Sequence, residues 1–470
     1  MSPFHVCWEG QPNTVATRDH AERLGAQPEL SLDVWRHGGA AGEAYAGRLL
    51  HPLAIFVLFV SVVKGVAFPH HWAATHLFFD YQYGFVKRGL VGAFARAIGA
   101  HFLQDYRFFF YVTLAIVLAN LVLIVSGFAE VHRRAHGWLR LGPLVYASSI
   151  GAAYLANSIG YADHLGLLAT LLALRIEHFW KRLGFIALTF SVLLFVHEAI
   201  FVAFLPVALV TFIFDPRIGS DKKRLFSIGV VVAALACITY VIAGAVISKA
   251  ASVEMYRAAQ ARADFLLFPE AFDVLYRTGV DNFRIMARAW GRERYWADAF
   301  YGAVTTLPTA ALLLFFAWKA MRSAGVGRSS AMLVLAAGVS PLCLHVVAWD
   351  IHRWNALAIT TSFVTLHAIT RHTARPRETL FMARPLLIVV AVLLVLNMSA
   401  TTWFLNGRQV RAFPWRDHVD YWRHLAMGRE EFPARPLEPK RLTKLSKISP
   451  YAKWLRFRGR AYRGEPARGR

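Results

Sequence analysis

Eleven apolar stretches follow one another along this chain with only short polar breaks between them, each near the length that carries an α-helix across a bilayer. A spanning helix needs about 20 apolar residues, with a range of about 17–25, and it suits hydrocarbon because its backbone hydrogen bonds are satisfied internally. The stretches cover 50–68, 109–128, 141–159, 164–179, 183–196, 199–214, 225–247, 300–318, 331–349, 354–370 and 385–404. With 56% hydrophobic and 14% aromatic residues and a mean hydropathy of +0.40, the chain is too apolar for an ordinary soluble domain. The predicted fold is all-α: a polytopic transmembrane helical bundle of about 11 spans, with interfacial amphipathic helices in its outer loops.

The predicted organisation is a polar cytoplasmic N-terminal segment over 1–48, an integral membrane domain over 49–404 and a basic tail over 405–470. The first segment lacks the charged, apolar and small-residue regions of a cleaved signal peptide, so Leu49 to Phe68 is expected to remain as a signal anchor. No fixed-period repeat or low-complexity linker divides the chain. Cys7, Cys237 and Cys343 are too few and too scattered for a disulfide framework or a thiolate metal site.

Orientation turns on 183–214, an apolar stretch interrupted only by His197-Glu198. Read as two helices meeting at that pair, it puts the N-terminus and the short loops 129–140, 175–182, 215–224, 319–328 and 371–384 inside. Those loops hold seventeen Lys and Arg, whereas the outer turns near 160–163, 197–198 and 350–353 hold only Arg353. The positive-inside rule favours that arrangement, a multi-pass protein of the plasma (inner) membrane with its N-terminus cytoplasmic. The basic tail then lies outside, against the trend, although long segments translocate largely regardless of charge. Read as one helix, 183–214 inverts everything after it. The net charge of +23 is punctuated by hydrophobic spans instead of forming one surface, which points to anionic lipid headgroups and not to nucleic acid.

In the two-helix arrangement five polar patches reach one face of the membrane: Asp80 with Lys87 and Arg88, Tyr161 to His164, His197-Glu198, the arginines between Arg257 and Arg294, and Asp350 to Arg353. Ionisable residues at membrane depth cost about 2.5–3.5 kcal/mol each on insertion scales, so their convergence suggests a site. Asp80, among aromatics and near cations, has the surroundings of a general base; it can equally pair with Arg88 or cap the amphipathic helix expected over 85–100. Lys87 and Arg88 offer charge to a phosphate. Lys64, in the outer half of the first span, reads as a snorkelling lysine or a substrate contact. Asn157 to His164 forms a tight turn in which Asp163 can cap the next helix, with Tyr161 and His164 beside it. His197 and Glu198 replace the Gly, Asn or Ser that an idle turn would use, and no second histidine completes a zinc-protease helix. Asp350 and Arg353 share a helical face, with His352 between them and Trp349 in position for a cation–π contact to Arg353. Loop 249–299 is rich in Arg, Tyr and Phe and is expected to hold short helices lying on the bilayer. No Walker motif, zinc pattern or nucleophile elbow is present, so nucleotide-driven chemistry on the inner face is not expected.

On this architecture and the first-loop segment His76 to Leu90, the chain resembles the GT-C-type glycosyltransferases over roughly 50–370. The resemblance implies transfer of a sugar from a polyprenyl-phosphate or polyprenyl-diphosphate carrier to a glycan or other acceptor on the non-cytoplasmic face, in cell-envelope glycan assembly. It implies a first-loop acid, here Asp80, as catalytic base, with Glu198 as the other candidate. Lys87, Arg88 and Arg353 would hold the carrier phosphate, and Tyr161, Asp163, His164, His197, Asp350 and His352 would complete the substrate site. Tyr81 follows Asp80 where an adjacent second acid is common, so no metal ligand is assigned and a divalent metal stays open. Two other classes share parts of this pattern: a polysaccharide polymerase or ligase acting on lipid-linked oligosaccharide, and a secondary transporter or flippase, which would need midplane polar groups and internal repeats.

Overall fold

The computed structural model describes residues 40–135, 137–215, 218, 221–263, 265, 267–348, 350–373, 384–400, 402–403 and 409–410. Residues 1–39 of the N-terminal segment, the tail beyond 410, Trp349 and the loop arginines Arg217, Arg375 and Arg377 lie outside the described residues. The chain divides at Ala46 into a small unit, Met1–Ala46, and a large one, Gly47–Arg470, which carries everything below.

Seventeen α-helices run through the described residues. In order they are α1 (Ala40–Gly65), α2 (His71–Thr75), α3 (Leu90–Ala97), α4 (Tyr106–Arg134), α5 (Gly142–Ala147), α6 (Ile150–Asn157), α7 (Asp163–Ala173), α8 (Phe179–Val196) and α9 (Ile200–Ala203). After these come α10 (Leu205–Ile213), α11 (Lys222–Gly244), α12 (Lys249–Arg262), α13 (Gly279–Trp290), α14 (Glu293–Ser323), α15 (Arg328–Gly338), α16 (Ile351–His372) and α17 (Arg384–Ser399). The strand pairing among the described residues is the antiparallel contact of Thr402–Trp403 with Gln409–Val410. Side-chain caps start several helices where the sequence supplies them: Asp105 accepts from Phe108 N at α4, Ser149 from Ala152 N at α6, and Thr278 and Asp281 form a capping box at α13.

Among the described residues four helices are long and apolar enough to cross a membrane, within α4, α8, α11 and α14; α15 with the 3₁₀ segment Ser340–Val346, bent by 58°, adds a fifth if counted as one span. Eleven helices of spanning length are not present among the described residues. The shortfall comes from breaks: 141–159 divides into α5 and α6 at Ser148-Ser149, 199–214 into α9 and α10 at Phe204, and 331–349 bends after Gly338. The helix does stop at His197-Glu198, between α8 and α9. Over 85–100 the helix is shorter than the sequence suggested, beginning at Leu90.

The core is built around α16, on which Ile351 and every residue from Arg353 to Thr370 are buried. It packs against α14, α15, α6, α4, α10 and α5. A second, aromatic core joins the first loop to the later one: Phe79 meets Phe272 with ring centroids 5.0 Å apart, Phe78 meets Phe265 at 5.8 Å, and Thr75 Oγ1 accepts from Phe268 N at 2.9 Å. At the far end of α4 and α16, Glu130 is gripped by His367 at 2.9 Å, Arg371 at 3.1 Å and Arg134 at 3.2 Å. The ionic groups therefore gather at two ends of the bundle, and the end beside the aromatic core holds a cavity.

Candidate functional site

The cavity measures about 280 Å³ and is lined in its polar part by His76, Arg88, Tyr161, His164, His197 and Arg353. Its apolar wall comes from Trp72, Val91, and Phe109, Val112 and Ile116 on α4. Val112 is 41% exposed, so the wall opens sideways onto the outer surface of α4.

Arg88 reaches the cavity from a strained backbone. Its φ of 61° is the one left-handed value among the described non-glycine residues, and such strain persists only where the surroundings over-determine it. Glu198 supplies that constraint through a two-point fork, with Arg88 Nε donating to Oε2 at 3.0 Å and Nη2 to Oε1 at 2.7 Å. Burial alone would raise the Glu198 carboxyl; the Arg88 charge and fork overcome it and hold the group well below the usual carboxylate range. Nη1, the remaining nitrogen, stands 3.4 Å from His76 Nε2.

Arg353 is more fully committed. Nε and Nη2 donate to Asp163 at 2.8 and 2.9 Å, Nη1 stands 3.6 Å from Asp350 Oδ2, and the guanidinium lies 4.8 Å from the Tyr161 ring centre and 4.4 Å from that of Trp354. Tyr154 donates its hydroxyl to Asp163 at 2.6 Å. The arginine thus presents one surface of a neutralised, stacked cluster to the cavity.

Three histidines share the lining, and their partners fix their tautomers. An arginine N–H can only donate, so His76 Nε2 accepts from Arg88. His197 Nδ1 accepts from Ala199 N at 3.2 Å, leaving the proton on Nε2. Burial, reinforced by Arg88, pushes the His76 imidazole well below its usual range and that of His197 down to about 3, so both are neutral at pH 7.

Of the residues singled out from sequence, Arg88, Tyr161, His164, His197 and Arg353 line one cavity, with Asp163 and Glu198 immediately behind. Asp80, Lys87, Asp350 and His352 do not line it. Asp80 is 1% exposed, accepts from Gln82 N at 2.9 Å, and faces Arg96 at 3.6 Å and Arg262 at 3.7 Å. It does not pair with Arg88, whose left-handed turn points it to Glu198 instead. Lys87 is buried and donates to the Arg277 carbonyl at 2.6 Å, tying the segment before α3 to the segment before α13; burial pushes its ammonium down. Lys64 likewise donates to the carbonyls of Asn397, Met398 and Ala400 at the end of α17. Asp350 and His352 sit beyond Arg353, His352 with its ring 6.2 Å from that of Tyr301. His76 was not among the sequence candidates; its place four residues before Asp80, in the same first loop, was the available signal. Among the described residues no three His, Cys, Asp or Glu side chains gather to hold a metal ion.

The chain matches no protein-family model, no curated protein and no solved structure.

Proposed function

We propose that this protein is a membrane glycosyltransferase that takes a sugar from a polyprenyl-phosphate or polyprenyl-diphosphate carrier and passes it to an acceptor at the outer membrane surface. The observation that carries this reading is the pairing, in one cavity, of an oriented arginine with an apolar wall that opens sideways at Val112. A phosphorylated lipid has the same two parts. Ligand pockets for whole drug-sized molecules run from about 300 to 1,000 Å³, so this cavity accepts the head of the carrier while the prenyl chain leaves along α4. Phe108, Tyr111, Val112, Leu118 and Val122 give that helix an exposed apolar surface.

Arg88 is the phosphate contact of choice. Glu198 takes two of its nitrogens and fixes the plane of the guanidinium, while Nη1 is left toward the cavity with His76. Developing charge on a leaving phosphate is stabilised by such a pre-set cation, and His197 Nε2–H adds a neutral donor. Arg353 acts mainly as a positioning residue, holding Tyr161 and the turn before α7.

The test is direct. Purified protein in detergent, given polyprenyl-linked sugars and acceptors, should form product without any ion gradient, because the carrier bond supplies the driving force. Arg88→Ala should weaken binding of a polyprenyl phosphate by roughly tenfold to a hundredfold, the equivalent of about 1.5–3 kcal/mol. Lys319→Ala, at the other end of the bundle, should not. Transport activity is the second reading, favoured by the buried polar run Asn355, Thr360, Thr361, Ser362, Thr365 and His367 along α16 between the two ionic clusters. Gradient-dependent uptake into proteoliposomes, with no product in detergent, would put it first.

A further inference from the structure

We infer that the end of the bundle away from the cavity retains an anionic glycerophospholipid, with its headgroup on Lys181, Lys222 and Lys223 and its acyl chains along α8 and α11. These are two of the four helices long and apolar enough to cross a membrane, and they pack against each other. Both begin at one corner, α8 at Phe179 and α11 at Lys222. Arg371, which grips Glu130, also reaches Glu177 just before α8 at 3.4 Å, so this corner belongs to the Glu130 end of the bundle. The site therefore stands apart from the transferase reading.

Charge at this corner is sorted by residue type. The arginines take the carboxylates: Arg224 faces Asp221 at 3.0 Å and Asp215 at 3.5 Å, while Arg371 holds Glu177. Arg182 is buried and donates to the carbonyls of Ile176 at 2.6 Å and Glu177 at 3.1 Å. Lys181, Lys222 and Lys223 are left exposed, with no carboxylate within 4 Å among the described residues. Lys223 Nζ stands 5.9 Å from the ring centre of Trp180, which is 42% exposed. An exposed tryptophan beside lysines is the pairing that settles at the boundary between headgroups and hydrocarbon. Past the lysines the surface is apolar. On α11 only Leu235 and Ile242 are buried, and Leu225, Phe226 and Val230 are exposed; α8 exposes Leu188 and Val192. A headgroup phosphate answers the unpaired ammonium groups, and acyl chains answer the two apolar helices that start beneath them. A soluble anion would meet only the first need and an uncharged lipid only the second.

The full chain, purified in detergent, is titrated with phosphatidylglycerol or phosphatidylcholine of matched chains and read by native mass spectrometry. Phosphatidylglycerol should be held about tenfold more tightly or better. A lysine near the surface is worth about a fivefold gain in affinity for anionic lipid, so Lys181→Gln/Lys222→Gln/Lys223→Gln should weaken retention by roughly tenfold to a hundredfold. Lys319→Gln/Arg322→Gln/Arg328→Gln removes the same charge from the connection of α14 to α15 and should change retention by less than about twofold. Glycerol 1-phosphate, which has the charge and no chains, should not displace the lipid. Should the triple lysine variant fail to fold, Lys222→Gln/Lys223→Gln is measured by the same criteria. Equal losses in the two triple variants would reduce the site to diffuse attraction between charges. Equal affinity for the two lipids, or displacement by glycerol 1-phosphate, would equally overturn the assignment to a retained anionic phospholipid.

Discussion

Arg353 and Asp163, 190 positions apart in the chain, meet through two parallel hydrogen bonds of 2.8 and 2.9 Å in a site from which each side chain shows less than a tenth of its surface to solvent. The pair fastens the central helix α16 to the start of α7 and so fixes one wall of the cavity. Breaking a buried pair from one side strands the partner's charge, which typically costs about 3–5 kcal/mol. Asp163→Asn should therefore lower thermal stability in detergent sharply. Asp163→Leu combined with Arg353→Met should recover much of the loss, and equal melting points for the single and double variants would show that the pair is not coupled.

Asp80→Asn tests the acid implied by the first-loop resemblance. Asparagine can still accept from Gln82 N, and the two arginines it faces are partly hydrated and stand more than 3.5 Å away, so the variant should fold and retain turnover per folded molecule within about threefold. A folded, donor-binding variant without turnover would restore Asp80 as the base.

Acid should destabilise the protein through His197. Burial, aided by Arg88 and opposed by Glu198, lowers its folded pKa to about 3, below an unfolded value of about 6.5. The unfolded chain then takes up a proton that the folded chain refuses, so the stabilising contribution is present above pH 6.5 and is lost as pH falls from there toward 3. His197→Asn, which can still accept from Ala199, should flatten the pH dependence of the melting temperature over that window by about one proton. An unchanged slope would place the acid sensitivity elsewhere, with His76 next in line.

Topology can be read by thiol labelling in a background with the native cysteines replaced by serine. Cysteines at Asp221 and Gly325 should be shielded from an impermeant reagent on intact cells, and one at Gly279 should react. Reaction at Asp221 with protection at Gly279 would separate the cavity from the outer surface and remove the lipid-carrier argument.

The ends of the bundle were legible because ionisable residues interrupt apolar stretches, and hydrocarbon permits that only where they find partners. The partners themselves were not legible. Local spacing offered Asp350 to Arg353, but the close contact comes from Asp163, and Arg88 turns from nearby Asp80 to Glu198, 110 positions on. Both choices are made by helix packing and, for Arg88, by a backbone angle that no composition announces. The apolar stretches were likewise visible as stretches, while the bends at Ser148, Phe204 and Gly338 depend on how neighbours fill the space beside them. His164 stood out as one of several polar turn residues; that its Nε2 is held by the Ser158 carbonyl at 3.1 Å and by Ser158 Oγ at 3.2 Å depends on how that turn folds back on the end of α6.

The enclosure of α16 from Arg353 to Thr370 also has a bearing on how the protein is made. A segment holding Arg353, Asn355, four threonines and His367 is poorly suited to leave the translocation channel by itself, since an unpartnered arginine alone would cost about 2.5–3.5 kcal/mol on insertion scales. Its neutralising carboxylate, Asp163, has by then been synthesised 190 residues earlier, and α4, α5, α6, α10, α14 and α15, which pack against it, all precede it in the chain. Translation order thus delivers the receptacle before the helix that fills it.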